Sequence, residues 1–498
     1  MRRLNFPDKK LEFLISLSFW LVYVIFTTSL VEEQTIYALT QGVVEKNTFV
    51  INSFIWNAVD KSYYNGNYYS DKAPGLSFMA VPLYAIIQSD QILPWFDKNS
   101  FEKIKTEQPD YYKYLKKFIL HSFVVALIVA PLSALTLILI FRIAKKITNS
   151  QSAAVLTAIS IGAGTSFFYY ASTGLVHNVG VFFSFFAFYL IYTRFEEIKR
   201  KISLQLFTGG LIGFSIFVDY LQLIVAFFLI GYIILKFKNS WSFFLIGIFV
   251  GVLPLLIYNF DTFDNPLALS YSYHCYSYVC EEKNSIDYNP PVQIIGQIIE
   301  KSAHIFDRRY TSPDLFNIMT RMLIFPYKGL FIYSPILIFA LFGFFYFYKI
   351  DPNLTFIILG IFVTFLIVIG GIDHWHGDYF GLRYLIPTLP FLALPLSVIL
   401  NKQNTQLIVI TLLLSTAVMF SSHQFTPWPI YNSIYKTEQY YQELREWKEP
   451  LGVPLIEHYF PLMITKGPKL FYLQTVYSWL EQKYKTGEVT FHTQIDSK

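Results

Sequence analysis

The sequence predicts an all-α polytopic membrane protein, and both composition and patterning support this fold class. The 498 residues are 54% hydrophobic and 19% aromatic, whereas only 15% are charged. The apolar residues gather in long blocks instead of recurring at the spacing of an amphipathic helix. Many blocks approach or reach the roughly 17 to 25 residues that a helix needs to cross a bilayer core of about 30 Å. We therefore expect a bundle of about 11 transmembrane helices.

Eleven blocks are expected to cross the membrane. The first block follows four basic residues, but it is long and lacks a small-residue cleavage site. We expect it to be retained as an anchor. In chain order, the predicted spans are Phe13 to Val31, Phe118 to Phe141, Ser152 to Tyr170, His177 to Thr193, Ile202 to Val218, Tyr220 to Leu235, Trp241 to Phe260, Gly329 to Tyr348, Leu354 to Ile372, Tyr384 to Leu400 and Leu407 to Ser421.

Leu76 to Gln88 is apolar but too short to cross. Its 13 residues, which include Pro82, give roughly 20 Å of helix at about 1.5 Å per residue. We therefore expect a juxtamembrane helix on the outer face. With this helix outside and the N-terminus inside, the inner segments hold 15 Lys and Arg residues, while the short outer loops offer only Arg383. Because cytoplasmic loops are enriched in basic residues, this asymmetry predicts a cytoplasmic N-terminus.

This orientation divides the chain into a transmembrane module, residues 1–421, and a small extracytoplasmic C-terminal segment, residues 422–498. Two large outer loops belong to the module, residues 32–117 with the surface helix 76–88, and residues 261–328. Cys275 and Cys280 share the second loop. A local disulfide and two free thiols both remain open for this pair.

Polar residues at the outer ends of the predicted helices converge on one side of the membrane. Taken singly, each has an ordinary role. An Asp-Lys pair such as Asp71 and Lys72 is usually a surface ion pair of small energetic worth, and Lys328 or Arg383 would serve as an interfacial anchor. Together they concentrate charge in four outer segments, whereas the inner loops carry dispersed positive charge. This concentration favours a site on the outer face.

An amphiphile with a phosphate group is the ligand that best suits these residues. Lys72, Lys328 and Arg383 are predicted to bind the phosphate, and the groove beside the surface helix is predicted to take the lipid tail. A transfer reaction also needs a carboxylate to deprotonate the acceptor or to stabilise a sugar-like transition state. Glu32 and Glu33 are the candidates. The predicted supporting residues are Tyr69, Asp71, His177, Asp219 and Asp378.

Other site classes have little support in the sequence. His374 and His376 in "DHWHGD" form an HxH pair without an obvious third ligand, which is a weak indication of zinc. No P-loop or GxGxxG signature is present. The net charge of +5 resides mostly in loops, so it indicates how the chain is oriented in the membrane. No nucleic-acid partner is expected.

The order of several segments resembles the C-type (GT-C) glycosyltransferase superfamily. The resemblance is to the branch of protein O-mannosyltransferases and lipid A aminoarabinose transferases, which is glycosyltransferase family 39-like. It extends from residue 32 to about residue 397. The segments that carry it are "EEQTIYALTQGVVEKNTFVI", "VDKSYYNGNYYSDKAPGLSFMAVPLYAI", "NPLALSY", "KGLFIYSPILIFALFG" and "GDYFGLRYLIPTLPFLALP".

This resemblance implies transfer of a sugar from a polyprenyl-phosphate carrier to a lipid, glycan or protein acceptor, on the extracytoplasmic face of a prokaryotic plasma membrane. It implies that Glu32 or Glu33 takes the place of the catalytic acid and Lys72 that of the phosphate-binding lysine. The family's acid is commonly Asp, and here both positions are Glu. No obligatory cofactor is implied, and because metal use varies within the superfamily a divalent metal is left open. Membrane lipids are the remaining expected partners.

Two alternatives of other classes remain. One is a non-catalytic GT-C-like subunit of a glycan assembly complex, which the Glu pair keeps open. The other is a transporter or flippase of lipid-linked sugars. A transporter is expected to carry charged residues near helix midpoints and internal repeats, and the predicted spans lack buried charges. The enzyme is therefore the favoured interpretation.

Overall fold

The computed structural model describes residues 8–28, 34–55, 60–88, 106–107, 109–237, 241–276, 280, 315–325, 328–372, 375, 380–402 and 405–422. Within these ranges most residues are helical, and one small antiparallel sheet lies between helices. The predicted C-terminal segment lies outside the described residues except for Ser422.

The α-helices of the described chain are numbered here in chain order. They are α1 (Asp8–Ile25), α2 (Gln34–Lys46), α3 (Gly75–Gln88), α4 (Pro109–Val124), α5 (Ala130–Thr148), α6 (Gln151–Gly164), α7 (Phe167–Ala171), α8 (His177–Thr193), α9 (Phe195–Arg200), α10 (Ile202–Val218), α11 (Gln222–Phe237), α12 (Trp241–Phe263), α13 (Leu315–Ile324), α14 (Leu330–Tyr333), α15 (Ile338–Tyr348), α16 (Pro352–Gly371), α17 (Leu389–Lys402) and α18 (Thr405–Ser421).

Four helical stretches in the described part of the chain are long and apolar enough to cross a membrane. They are Lys116–Thr148, Trp241–Phe263, Pro352–Gly371 and Arg383–Lys402. The other apolar helices have 10 to 17 residues, which is at or below the usual crossing length. The predicted count of eleven spans therefore stays a prediction, while the mostly helical, apolar architecture is confirmed.

Two of the predicted spans are interrupted. The block from Gly329 to Tyr348 is divided into α14, a 3-10 turn at Pro335–Leu337 and α15, because proline removes a backbone donor and crowds the preceding turn. The block from Ser152 to Tyr170 is divided at Thr165, which has extended backbone angles (φ −134°, ψ 167°) between α6 and α7. Each break lies near the polar outer end predicted for these segments.

Ion pairs mark one end of the helical bundle. The guanidinium of Arg142 donates to both carboxylate oxygens of Glu12, at 2.7 and 2.8 Å, and Lys145 Nζ lies 2.5 Å from the carboxylate of Asp8. The predicted topology places the N-terminus and these two basic residues on the same side. The contacts agree with that grouping.

The opposite end collects the segments that were predicted to lie outside. The backbone N–H of Thr28, beyond the end of α1, donates to the carbonyl oxygen of Ser172 at 2.9 Å. The first residue of α3, Gly75, lies against the last turn of α10, where an added Cβ would meet Phe217 O and Val218 Cα at 2.7 Å. The start of α3 therefore packs directly against the end of α10.

Two glycine pairs hold α10 and α12 in backbone contact. An added Cβ would lie 2.1 Å from a carbonyl oxygen of α12 at Gly209 and at Gly213. At Gly247 and Gly251 it would lie 2.2 and 2.3 Å from carbonyl oxygens of α10. Both pairs have the small-xxx-small spacing that allows close approach of membrane helices. Sequence patterning at these positions therefore sets the distance between the two helices.

A three-stranded antiparallel sheet corrects the all-α prediction. Its strands are β1 (Asp60–Tyr64), β2 (Asn67–Tyr69) and β3 (His274–Tyr276), in the order β2-β1-β3. The physical reason lies in "YYNGNYY": Asn65 and Gly66 both have positive φ, 47° and 76°, which is the requirement of a type I′ hairpin turn. Tyrosines on both sides of the turn favour strands.

The surface helix α3 is confirmed as a short helix. Its buried residues include Leu76, Ala80, Tyr84 and Ile87, spaced three or four apart as on one face of an amphipathic helix. Ile86, on another face, is 52% exposed. The helix thus has one face on the protein and an apolar residue available to a membrane.

Candidate active site

A buried ion-pair cluster surrounds Lys72. Lys72 follows β2 by three residues and leads into α3, and its side chain is 8% exposed. The ammonium lies 2.8 Å from Asp60 Oδ2 and is also hydrogen-bonded to the carboxylate of Asp71. Asp60 begins β1, so the hairpin brings it beside Lys72. The ammonium is therefore held between two carboxylates at the start of the surface helix.

The third strand contributes a histidine to this cluster. In the register of β1 and β3, His274 lies opposite Ser62, and His274 Nε2 is hydrogen-bonded to Asp60 Oδ1. The ring of Tyr271 lies 5.5 Å from Lys72 Nζ and stacks on the His274 ring, with 5.6 Å between centroids. The loop before and within β3 thus encloses the Asp60–Lys72 pair.

The two cysteines of this loop are bonded to each other. The disulfide joins Cys275, which lies in β3, to Cys280. This resolves the two alternatives that the sequence left open. Disulfides persist in oxidising compartments, so the bond agrees with the prediction that this loop faces outward.

Ser270 and Thr35 fix the position of Asp71. The hydroxyl of Ser270 donates to the Asp71 carbonyl at 2.8 Å, and the carbonyl of Ser270 accepts from Ser62 Oγ at 2.7 Å. Thr35 Oγ1 donates to Asp71 Oδ1 at 2.8 Å. Thr35 lies two residues after Glu33 in the sequence. The chain beside the predicted catalytic acids is therefore in contact with the Lys72 cluster.

The two carboxyl groups of the cluster have pKa values displaced in opposite directions. Burial raises the pKa of Asp60, but the nearby charge of Lys72 and the hydrogen bond from His274 outweigh burial and hold this pKa well below its usual value. Asp71 is fully buried, and burial together with the negative charge of Asp60 raises its pKa. Asp60 therefore keeps its charge, and Asp71 is the carboxyl group that is more readily protonated.

A second polar pair is formed by His177, at the start of α8, and Asp219, directly after α10. His177 Nδ1 is 3.0 Å from Asp219 Oδ2, and Asp219 Oδ1 accepts from the backbone N–H of Leu221 at 3.1 Å. A carboxylate partner makes Nδ1 the ring nitrogen that carries the proton. The structure thus joins two residues that are 42 positions apart and that the sequence could place only on the same side.

Two tyrosines connect this pair with the Lys72 cluster. The His177 ring makes an edge contact with the ring of Tyr384, at 6.3 Å between centroids. Arg383 Nη2 donates to the Tyr384 hydroxyl at 2.8 Å. The hydroxyl of Tyr220, the residue after Asp219, lies 3.2 Å from Ser270 Oγ, and this Oγ donates to the Asp71 carbonyl. Lys72, Arg383, His177 and their partners therefore form one polar region.

Not every predicted residue lies in that region. The Tyr69 ring packs on Phe263, with centroids 5.6 Å apart, within the apolar cluster beneath the sheet. Lys328 is 3% exposed, two residues before α14. The remaining predicted groups lie outside the described residues, namely Glu32, Glu33, His374, His376 and Asp378.

Another buried histidine lies beside the segment that carries the predicted acids. His121 Nε2 is 2.9 Å from the carbonyl oxygen of Thr28, and its Nδ1 is 3.0 Å from the Tyr37 hydroxyl. Nε2 therefore donates and Nδ1 accepts. Gly174 leaves room for this contact, since a Cβ there would lie 2.1 Å from the Tyr37 oxygen. His121 thus binds both flanks of the segment 29–33.

Asp60, Asp71 and His274 could also serve as metal ligands. Each offers one ligand atom, and these atoms lie within 4.8 Å of one another. Carboxylate oxygen and imidazole nitrogen suit zinc or manganese. A cation at this place would have to displace the Lys72 ammonium from both carboxylates. In the described arrangement, the two carboxylates therefore bind the Lys72 ammonium and not a metal ion.

Sequence reasoning missed Asp60, His274 and Tyr271. The Asn65–Gly66 turn could have predicted the hairpin and hence the position of Asp60 opposite the end of β2. His274 and Asp60 are 214 residues apart. Only the pairing of β1 with β3 brings them together, and no local pattern reports that pairing.

Comparison with known proteins gives a family match over part of the chain. Residues 115–258 match the family model described as dolichyl-phosphate-mannose-protein mannosyltransferase. The matched region, less than a third of the chain, runs from α4 into α12 and contains both His177 and Asp219. Over these residues the match agrees with the resemblance predicted from the motifs.

Two solved structures are similar to this chain. One is ArnT from Cupriavidus metallidurans bound to undecaprenyl phosphate, at 12% identity and a TM-score of 0.46, covering 95% of this chain and 77% of that one. The other is ArnT from the same organism in the apo state, at 12% identity and a TM-score of 0.42, covering 95% and 76%. The curated proteins give no match.

Proposed function

We propose that the protein transfers a sugar from a polyprenyl-phosphate donor to a lipid, glycan or protein acceptor on the extracytoplasmic face of the membrane. The observation that carries this proposal is the buried ammonium of Lys72. It is held between Asp60 and Asp71 at the start of a short surface helix. A phosphate attached to a membrane-bound isoprenoid meets the protein at this depth.

In this proposal, Lys72 and Arg383 bind the donor phosphate, and Lys328 adds positive charge. Arg383 offers a planar fork of donors that matches phosphate oxygens, while the ammonium acts as a point charge. The carboxylates around Lys72 would oppose an anion. The raised pKa of Asp71 favours its protonated form, which lowers that negative charge when phosphate binds. The lipid tail lies along α3, beside the exposed Ile86.

The proposed reaction is a single displacement at the anomeric carbon. Glu32 or Glu33 takes the proton of the acceptor hydroxyl or amine as its oxygen or nitrogen bonds to the sugar. The bond between the sugar and the phosphate oxygen breaks, and the polyprenyl phosphate leaves with the electron pair. Lys72 and Arg383 stabilise the charge that develops on the leaving phosphate. His177, oriented by Asp219, is the supporting proton carrier, and Asp378 remains a predicted member of the site.

Purified protein in vesicles with labelled polyprenyl-phosphate sugars tests the proposal. The panel of carrier-linked sugars identifies the donor, and label on an acceptor reports transfer. Glu32→Gln with Glu33→Gln is expected to abolish transfer, and Lys72→Met to raise the KM for the donor at least tenfold. Lys46→Met is the matched control, because Lys46 lies at the same end and its ammonium contacts exposed Ser53. Full transfer by the double Glu variant would remove the catalytic assignment.

A non-catalytic subunit of a glycan assembly complex is the second candidate. The observation that favours it is the Glu pair in place of the family's usual acid. Such a subunit binds polyprenyl phosphate but leaves the label on the carrier, and its Glu variants bind as the unmodified protein does. Binding of undecaprenyl phosphate measured beside transfer separates the two candidates.

A further inference from the structure

The segment from Ser270 to His274 contacts every charged member of the Lys72 cluster. Ser270 holds the Asp71 carbonyl, the Tyr271 ring lies 5.5 Å from the ammonium, and His274 binds Asp60. These residues are about 200 positions from Lys72 in the sequence. Their contacts with Lys72 and its partners depend on how firmly this segment is attached to the sheet.

Two features restrict the segment. The first is the pairing of β3 with β1, in which Cys275 lies opposite Lys61 and Tyr276 opposite Asp60. This pairing is short, because β3 has only three residues. The second is the disulfide from Cys275 to Cys280, which constrains the chain directly after His274. A three-residue edge strand frays readily by itself. The disulfide closes a short loop within the same segment, so the frayed strand gains less conformational freedom and pairing is favoured.

We propose that His274 and the Cys275–Cys280 disulfide form a positioning element for Lys72. The disulfide restricts the conformations that β3 could adopt away from β1, His274 on β3 holds Asp60, and Asp60 fixes the ammonium where it meets the donor phosphate. This inference rests on the proposed function and adds a dependence on thiol oxidation. When a dithiol reagent reduces this bond, the reagent is oxidised to a cyclic disulfide and Cys275 and Cys280 become thiols. Lys72 then loses a fixed partner.

Initial rates at varied donor concentration test this positioning role. The double variant Cys275→Ser with Cys280→Ser, and the unmodified protein treated with dithiothreitol, are each expected to raise the KM for the donor about three- to tenfold. The kcat is expected to change less than twofold. Dithiothreitol is expected to have no further effect on the double Ser variant. A KM unchanged by both treatments would overturn the proposal, and so would a loss confined to kcat and stability.

His274 variants give an independent measurement. His274→Phe keeps a flat ring but cannot bind Asp60, so it is expected to raise the KM as much as loss of the disulfide does. In His274→Gln the amide nitrogen takes the place of Nε2, and a clearly smaller rise is expected. Equal KM values for the Phe and Gln variants would show that the bond to Asp60 has no part in donor binding.

Deuterium exchange separates failure of this inference from failure of the proposed function. Reduction of the disulfide is expected to increase exchange in peptides covering residues 60–72, whether or not the protein transfers sugar. If the unmodified protein transfers no sugar but this exchange increases, the proposed function fails and the positioning element remains. If the exchange does not change on reduction, the positioning element is refuted.

Discussion

Gly75 links the segment that we propose to bind phosphate to the His177–Asp219 pair, which makes Gly75→Ala an informative perturbation. The residue lies three positions after Lys72 and begins α3. An added Cβ would lie 2.7 Å from Phe217 O and 2.7 Å from Val218 Cα. Both are backbone atoms of the turn that leads into Asp219, so no side-chain rotation can relieve the contact.

The size of the effect follows from these distances. An ordinary contact of a Cβ with such atoms is at least 3.4 Å, so the start of α3 must move away from α10 by about 0.7 Å. Overpacking of this kind costs about 1–3 kcal/mol. A misplacement of about 1 Å in a catalytic arrangement can reduce the rate by roughly 100-fold. We therefore expect kcat/KM to fall about 10- to 100-fold, together with a lower melting temperature.

Two measurements test this expectation against a matched control. Melting of the purified protein in detergent reports stability, and transfer at varied donor concentration reports activity. Gly231→Ala is the control because it lies inside α11 and an added Cβ has no neighbour within 4 Å. It should leave both measurements near those of the unmodified protein. A Gly75→Ala protein with unchanged activity would refute the idea that close packing of α3 on α10 sets the geometry of the site.

Three further predictions concern charge, positioning and topology. Because the pKa of folded Asp60 is depressed, its stabilising contribution is present above the unfolded pKa of about 4 and is lost as pH falls. Asp60→Asn should therefore lower the melting temperature most at neutral pH, and a difference that is constant down to pH 3 would contradict this. His121→Phe removes the hydrogen bonds of His121 to the Thr28 carbonyl and to the Tyr37 hydroxyl and should destabilise the protein by about 1–3 kcal/mol, as measured by chemical denaturation; unchanged stability would count against it. Single cysteines at exposed Asn65 and Ser152 should react with an impermeant thiol reagent from opposite sides of the membrane, whereas labelling from one side would refute the predicted topology.

Local physical rules predicted the helical part of the fold well. The apolar run after Gly75 is too short to cross the membrane, and its length predicted a short helix. The asymmetry of basic residues predicted that Arg142 lies on the same side as the N-terminus. The break at Pro335 inside a predicted span was missed because hydropathy averages over a single proline. The sheet was not predicted because the fold class was inferred from the apolar composition of the whole chain. Asn65–Gly66 is nevertheless a strong local signal for a hairpin turn.

The candidate site was predictable only where it depends on short segments. Lys72 stands out because an Asp-Lys pair precedes a Pro-Gly break and an apolar run. Its partner His274 could not be found, because the contact with Asp60 spans 214 residues and depends on strand pairing. The His177–Asp219 pair needed the packing of α8 on α10, where Gly180 brings the backbone close to Asp219.

The sheet has a consequence for how the protein is made. Its first two strands emerge from the ribosome roughly 200 residues before the third. During that interval six of the predicted spans can already be inserted, while Asp60 has yet to receive its imidazole partner. The proposed donor site can therefore be complete only after the second large loop has been made and its disulfide has formed. A chain arrested before that loop would carry both Lys72 and its hairpin, yet lack the third strand and its histidine.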